Sequence, residues 1–325
     1  MRQKFLLGLT LSKFNLELSK TEALLCFKAY FEVEEFLFVS NHLFFFVSGD
    51  SSDIVNCLNR LAFTKECFVV SSKKDWVFEL VDFCKIFNLP YGKEVSFSVV
   101  PFMFNNRDSF VENVASTICD ENLAGRVHLS KPDLIIGGFE SLNLFGVLIW
   151  SNKDSFIKRR VHLKPKPHPS GIDPRLARAM INLASAKEEV LDPFCGAGGI
   201  LEEVKLIGLK YIGVDISWKM INLARINLGS RENLFKMDAL SWDSYVECVV
   251  TDLPYGKSCI LDKEFLLLAD NFLSYYKNYT NKIVVCAPNS YDLVSIAKKH
   301  GWALDSFFDV YVHGSLTRRL HIFSI

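Results

Sequence analysis

From residue 189 to the end of the chain, short apolar runs rich in β-branched residues alternate with helix-like stretches. Strands are expected at 190–191, 211–214, 234–236, 248–251 and 283–286, and helices at 200–206, 218–228, 265–276 and 291–300. Strand and helix in strict alternation make a doubly wound parallel sheet with helices on both faces. Two final strands, about 303–312 and 319–323, have no helix between them and so form an antiparallel hairpin. In an open sheet of this kind ligands bind outside the carboxyl ends of the strands.

Four polar groups stand at those ends. The first is Asp192-Pro193-Phe194-Cys195-Gly196-Ala197-Gly198-Gly199, whose glycines let the backbone pass close to a ligand at a helix start. It is not the dinucleotide fingerprint, because the last glycine of G-x-G-x-x-G is replaced by Leu201. An acid four residues before Gly196 suits an ammonium group better than a pyrophosphate. A plain strand-to-helix turn is the ordinary alternative. The second is Asp215, placed to accept both hydroxyls of a ribose, as nicotinamide enzymes also do. The third is Asp238, better matched to an adenine amino group than to a nicotinamide cofactor, though an exposed loop aspartate reads the same way. The fourth is Asp252-Leu253-Pro254-Tyr255. Asp252 and the Leu253 carbonyl can accept both hydrogens of an exocyclic amino group while Tyr255 stacks on the ring. Asp, Pro and Gly also make ordinary turns. The force of the four lies in their order, each at an expected strand end.

The front half has a different grain. Residues 1–50 give a strand at 5–11, a helix near 19–31 and strands at 36–40 and 43–48 joined by a turn at Asn41-His42. A helix at 53–63, a strand at 67–71 and a helix at 76–87 follow, then strands at 95–100, 134–136 and 144–150 with a helix at 109–118. The segment 125–133 is polar and stopped by Pro132. Domains are therefore expected at 1–50, 51–150 and 172–325, with 151–171 as a linker.

Charge separates these parts. Residues 1–150 carry 14 Lys and Arg against 18 Asp and Glu, and residues 151–325 carry 23 against 19. Residues 151–180 alone hold eight basic side chains and two acids. The prolines at 165, 167 and 169 among those cations predict a stiff, extended connector with a positive face. Such a run is either a solvated linker or a phosphate contact. The nine cysteines include no C-x-x-C pair, so zinc and a disulfide framework are not expected, and reduced buried thiols in a cytoplasmic protein are. No apolar run reaches the roughly 18 residues of a membrane span. The residues at 5–9 after Arg2 and Lys4 read as a first strand rather than a signal peptide.

The segments from Asp192 to Gly199, Asp215, Asp238 and Asp252-Leu253-Pro254-Tyr255 together resemble the S-adenosylmethionine-dependent methyltransferases that act on exocyclic amino groups. Lys166-Pro167-His168-Pro169-Ser170-Gly171, the helix that starts at Arg175, the motif continued by Gly256-Lys257-Ser258, and Gly314-Ser315-Leu316-Thr317-Arg318-Arg319 are similar to the archaeal-type tRNA guanosine N2-methyltransferases that modify position 10. The stretch 97–150, with Val127-His128-Leu129-Ser130-Lys131-Pro132-Asp133, resembles a THUMP domain, an RNA-binding module, and 1–50 the ferredoxin-like domain that precedes it.

The resemblance implies an α/β fold: a Rossmann-like, seven-stranded methyltransferase domain behind α+β ferredoxin-like and THUMP domains. It implies S-adenosylmethionine as cofactor, with Asp192, Gly196, Ala197 and Gly198 around its methionine part, Asp215 with Ile216 at the ribose, and Asp238 with Ala239 at the adenine. Asp252 closes the cofactor site. The catalytic group is Asp252, Leu253, Pro254 and Tyr255. Lys164, Arg318 and Arg319 are the implied RNA phosphate contacts. The implied partner is tRNA, the protein acting as a monomer or with a small activator protein. Many relatives carry two prolines in the catalytic motif where this chain has Leu253 first. The contact there is made by a carbonyl, so the chemistry is kept. Other readings stay open on the residues alone: an adenine N6 or rRNA guanine-N2 methyltransferase, and a non-catalytic RNA-binding module of the same fold. A nicotinamide dehydrogenase is disfavoured by Leu201 and Asp238.

Overall fold

The computed structural model describes residues 3–103, 107–169, 171–255, 262–314 and 316–325. The chain separates into two compact units. One holds residues 1–20, 30–59 and 63–153, and the other holds 21–29, 60–62 and 154–325.

The first unit is built on one eight-stranded sheet. Its strands are β1 (Gln3–Leu11), β2 (Val33–Val39), β3 (His42–Gly49), β4 (Thr64–Ser71), β5 (Gly92–Phe102), β6 (Ala124–Val127), β7 (Leu134–Phe139) and β8 (Leu144–Ser151), in the spatial order β2-β3-β1-β4-β8-β7-β5-β6. Most of helix α1 (Leu16–Lys28), its residues 21–28, is counted in the other unit, while α2 (Ser51–Leu58), α3 (Trp76–Ile86) and α4 (Arg107–Asp120) belong to this one. Where the sequence divides 1–50 from 51–150, the sheet runs straight through: β4 pairs with β1 on one side and β8 on the other. Within the polar stretch, residues 125–127 belong to β6, which joins β5 in parallel at the sheet edge. An edge strand with one short pairing needs no apolar alternation, so its sequence gives no strand signal. Phenylalanines fill the interior: Phe44, Phe68 and Phe139 pack edge to face.

The second unit carries a seven-stranded sheet of β9 (Glu189–Asp192), β10 (Lys210–Asp215), β11 (Leu234–Lys236), β12 (Cys248–Asp252), β13 (Lys282–Pro288), β14 (Ala303–His313) and β15 (Leu316–Ser324). The order is β11-β10-β9-β12-β13-β15-β14, with β9 to β13 parallel and the terminal hairpin antiparallel. The strand order reverses between β9 and β12, the switch point at which such sheets open a crevice. Its helices are α5 (Pro174–Leu183), α6 (Gly199–Leu206), α7 (Trp218–Leu228), α8 (Asp262–Tyr276) and α9 (Leu293–Lys299). Val249, Val250 and Thr251 of β12 and Ile283, Val284 and Val285 of β13 are fully buried, as central parallel strands covered on both faces must be. Asp173 caps α5 by accepting from the Arg175 and Leu176 amides, with Pro174 in the first turn. Within this unit Asn182 donates to Glu22 Oε1 at 2.8 Å and Arg60 to the Ala186 carbonyl at 2.8 Å.

The linker is not extended throughout. Two short 3₁₀ turns, Phe156–Arg159 and Val161–Leu163, interrupt it. The reason is charge pairing. Arg159 forks onto Asp154 at 2.6 and 3.0 Å and onto Glu203 of α6 at 2.7 Å, and that geometry coils the chain. Among the described residues no helix is long and apolar enough to cross a membrane, and the described cysteines are all free thiols.

Candidate active site

β9 delivers Asp192 to the crevice, 2% exposed. Its Oδ1 accepts from the Thr251 hydroxyl at 2.7 Å and from the Phe194 amide at 3.2 Å. Burial pushes this carboxyl up to about 7 against those two bonds, and the charges of Asp252 and Asp215 add to the rise. The chain then turns through the glycine loop. Gly196 and Gly198 have φ of 52° and 83°, left-handed values that favour glycine, and α6 starts directly after. The Cys195 thiol is buried and raised well above its ordinary value, mainly by that burial, which suits packing rather than attack.

Asp215, at the end of β10, ties the loop to the next helix. One oxygen accepts from the Gly196 amide at 3.0 Å and the other from the Ser217 amide at 2.8 Å. Each carboxylate oxygen has a second lone pair, so both remain able to take a hydroxyl. Ile216 beside it is 67% exposed, an apolar side chain left at the rim of the crevice. Asp238, exposed just past β11, accepts from the Leu240 amide at 2.9 Å and opens a short 3₁₀ turn. Ala239 is buried and its carbonyl is held by the Tyr276 hydroxyl at 2.7 Å.

The fourth strand end is the most constrained. Asp252 lies opposite Cys286 in the β12–β13 ladder, and the Leu253 amide donates to the Cys286 carbonyl at 3.0 Å. That bond fixes the peptide plane on which the Leu253 carbonyl sits, while the Leu253 side chain is 1% exposed in the core. Asp252 Oδ2 meets Arg318 Nη2 at 3.3 Å, and Oδ1 is buried with no hydrogen-bond partner among the described residues. Burial pushes Asp252 up to about 6, opposed by the Arg318 charge and by the Cys286 thiol. The Tyr255 hydroxyl accepts from Arg318 Nε, and burial raises this phenol well above its ordinary value. Pro254 is half-buried between them.

Hydrogen bonds therefore tie Asp192 to Thr251 and Asp215 to the glycine loop, and Asp252 follows Thr251 on β12. Thr251, which sequence reasoning passed over, is the link between the first and fourth strand ends. The three expected phosphate contacts lie differently. Lys164 pairs with Glu202 and its side chain is 6% exposed. Arg319 forks onto Asp309 at 2.7 and 2.8 Å. Arg318 is turned inward onto Asp252 and Tyr255. Gly256, Lys257, Ser258, Ser170 and Ser315, which belong to the motifs named above, lie outside the described residues.

The family described as RMKL-like, methyltransferase domain matches residues 162–319. Over 278 residues the chain is 31% identical to the tRNA (guanine(10)-N2)-dimethyltransferase of Methanocaldococcus jannaschii, covering 77% of this chain and 76% of that protein. The chain belongs to this family. The enzyme of the same description from Pyrococcus abyssi is 35% identical over 210 residues, covering 61% of this chain and 64% of its own length. Among solved structures, TrmN from Thermus thermophilus aligns over 99% of both chains at 18% identity with a TM-score of 0.45. In this tRNA (guanine(10)-N2)-dimethyltransferase family member, a buried carboxylate, Asp192, and a half-buried one, Asp252, both pushed upward by desolvation, face the crevice. One of them has an oxygen that nothing described satisfies. Such a site fits a cationic ligand carrying further hydrogen-bond donors, which S-adenosylmethionine is.

Proposed function

We propose that this protein transfers methyl groups from S-adenosylmethionine to the exocyclic N2 of guanosine 10 in tRNA. The observation that carries the reading is the unpartnered Oδ1 of Asp252, buried beside a Leu253 carbonyl whose peptide is pinned to β13. An aromatic amine bears two donors, and here are two acceptors one residue apart. When bound, S-adenosylmethionine supplies a methyl group on a positively charged sulfur that takes back the bonding pair. Asp192, Gly196, Ala197 and Gly198 would hold its methionine part, Asp215 and Ile216 the ribose side, and Asp238 and Ala239 the adenine.

The amino group of guanine is a weak nucleophile because its lone pair is delocalised into the ring. As its nitrogen bonds to the methyl carbon, positive charge grows on it and both acceptors strengthen. That is stabilisation gained in the transition state rather than in binding. A hydrogen bond to a charged group is worth roughly 1.5–3 kcal/mol net. Asp252 or water takes the departing proton. Tyr255 stacks on the base, worth roughly 1–3 kcal/mol, and the base must leave its own stack to reach it.

We assign residues 1–50 to a ferredoxin-like domain and 51–150 to a THUMP domain that engages the tRNA. Their α+β make-up supports this, and the continuous sheet joins the two. The test is incubation of the full chain alone with unmodified tRNA and labelled S-adenosylmethionine, followed by nucleoside mapping. N2-methylated guanosine at position 10 is expected, and a methylated adenine would sink the reading. Asp252→Ala should slow transfer by roughly a hundredfold while tRNA binding persists.

A further inference from the structure

Arg318 and Arg319 look like one basic patch in the sequence. The strand separates them. Successive side chains of β15 point to opposite faces of the sheet. Arg319 faces out, 27% exposed at its side chain, forked onto Asp309 with its guanidinium 4.6 Å from the Phe307 ring centroid. Arg318 faces in and is 8% exposed. It stands opposite Pro288 of β13, two positions beyond the Cys286 that lies opposite Asp252.

We infer that Arg318 is a positioning residue for methyl transfer: it holds Asp252 by one oxygen and Tyr255 by its hydroxyl, leaving the second oxygen of Asp252 for the substrate amino group. The inference rests on the reading of Asp252 as the amino-group acceptor. Three observations carry it. Nη2 lies 3.3 Å from Asp252 Oδ2, Nε donates to the Tyr255 hydroxyl, and the guanidinium carbon is 5.7 Å from the Tyr255 ring centroid. A guanidinium has a rigid fork of donors, so the two partners are held at a fixed relative position by one planar group. A lysine has a single point charge and cannot serve both in the same way.

Charge supports the geometry. Asp252 is faced by Arg318 from β15, by the Cys286 thiol from β13, by Asp192 from β9 and by Tyr255 from its own loop. Of these Arg318 is the cation, and it works against burial to keep the carboxylate ionised. A phosphate contact needs a guanidinium free to reach solvent. This one is enclosed and already shared between two partners.

The test uses the full chain in methyl transfer across pH, with single turnover at saturating substrates for the rate and steady-state turnover over a range of tRNA and S-adenosylmethionine for KM. Arg318→Met should slow the step by roughly ten- to a hundredfold, leave KM for both substrates unchanged and move the acid limb of the rate profile to higher pH. Arg318→Lys should restore the limb without restoring the full rate. If Arg318→Met does not fold, Arg318→Gln carries the test, since it keeps a donor and removes the charge: its acid limb must move. An unmoved limb with an unchanged rate overturns the inference. So does a raised KM for tRNA with a shallower salt dependence and an intact rate, the signature of a phosphate contact. Asp252→Ala run alongside separates the two levels: if it turns over normally, the acceptor reading fails, whatever Arg318 does.

Discussion

Asp192 is held between two pressures. Two hydrogen bonds favour its charged form, yet burial and two neighbouring carboxylates push it up to about 7. Its folded value therefore lies close to neutral pH, and below it the ligand-free carboxyl holds a proton. An ammonium group seated against it favours the carboxylate and expels the proton. Binding of S-adenosylmethionine near pH 7 should therefore release a fraction of a proton from this residue. Calorimetric titration in two buffers of different ionisation enthalpy measures it. Asp192→Asn should abolish the buffer dependence, and its absence in the unmodified protein would show that the methionine end lies elsewhere. The positions of Asp192, Asp215 and Asp252 at strand ends were legible in the sequence because each ends an apolar run. The inward turn of Arg318 was not, because it depends on which way β15 faces, and the terminal hairpin sets that register through pairs far apart in the chain. Thr251 was invisible for a related reason. Its hydroxyl matters only once β12 lies against β9.

At the scale of elements, apolar periodicity located the strands and helices of the second unit, since a buried parallel strand must be apolar along its length. It misled at the linker. There the sequence shows cations and prolines but not the acids that meet them, Asp154 and the fully buried Glu203 of α6. Arg159 and Arg178 share Glu203 at 2.7 Å each, and Arg159, Arg175 and Arg178 all gather over the Phe156 ring. This cluster fixes the segment leading into the catalytic unit. Removing one member leaves charges buried without compensation, which costs far more than the intact cluster contributes. Glu203→Met should destabilise the second unit by roughly 3–5 kcal/mol, read as a fall in its urea midpoint. A loss under about 1 kcal/mol would mean that the arginines find water instead, as surface pairs do. A protein folded around this cluster spends the cations Arg159 and Lys164 internally. The basic side chains of the linker that are still exposed are Lys153, Lys158, Arg160 and Lys166.

At the scale of the whole molecule, ionisation ties stability to pH in two opposed ways. His42, in the first unit, and His321, in the second, are both buried and both lowered to about 4, chiefly by that burial, with Lys13 adding to the first and Arg319 to the second. Unfolded, each returns to about 6.5. Between these values the unfolded chain binds the extra proton, so stability is full above about 6.5 and falls as pH drops toward 4. Asp192 and Asp252 act in the opposite sense. Their folded values lie above the unfolded one, so the stability they contribute is present at low pH and lost as pH rises through about 6 and 7. Between about pH 4 and 6 the two carboxyls outweigh the single histidine, so these groups together should make the second unit lose stability as pH rises, and a cationic donor should offset that loss by favouring the ionised acids. His321 can be isolated because it stacks on Phe323 inside the sheet rather than in the crevice. A His321→Leu chain should lose less stability than the unmodified one between pH 6.5 and 4, the difference approaching roughly 3 kcal/mol for a shift of this size. Urea transitions of both proteins at matched pH values measure it. Parallel curves would show that His321 keeps its ordinary value and that acid unfolding has another source.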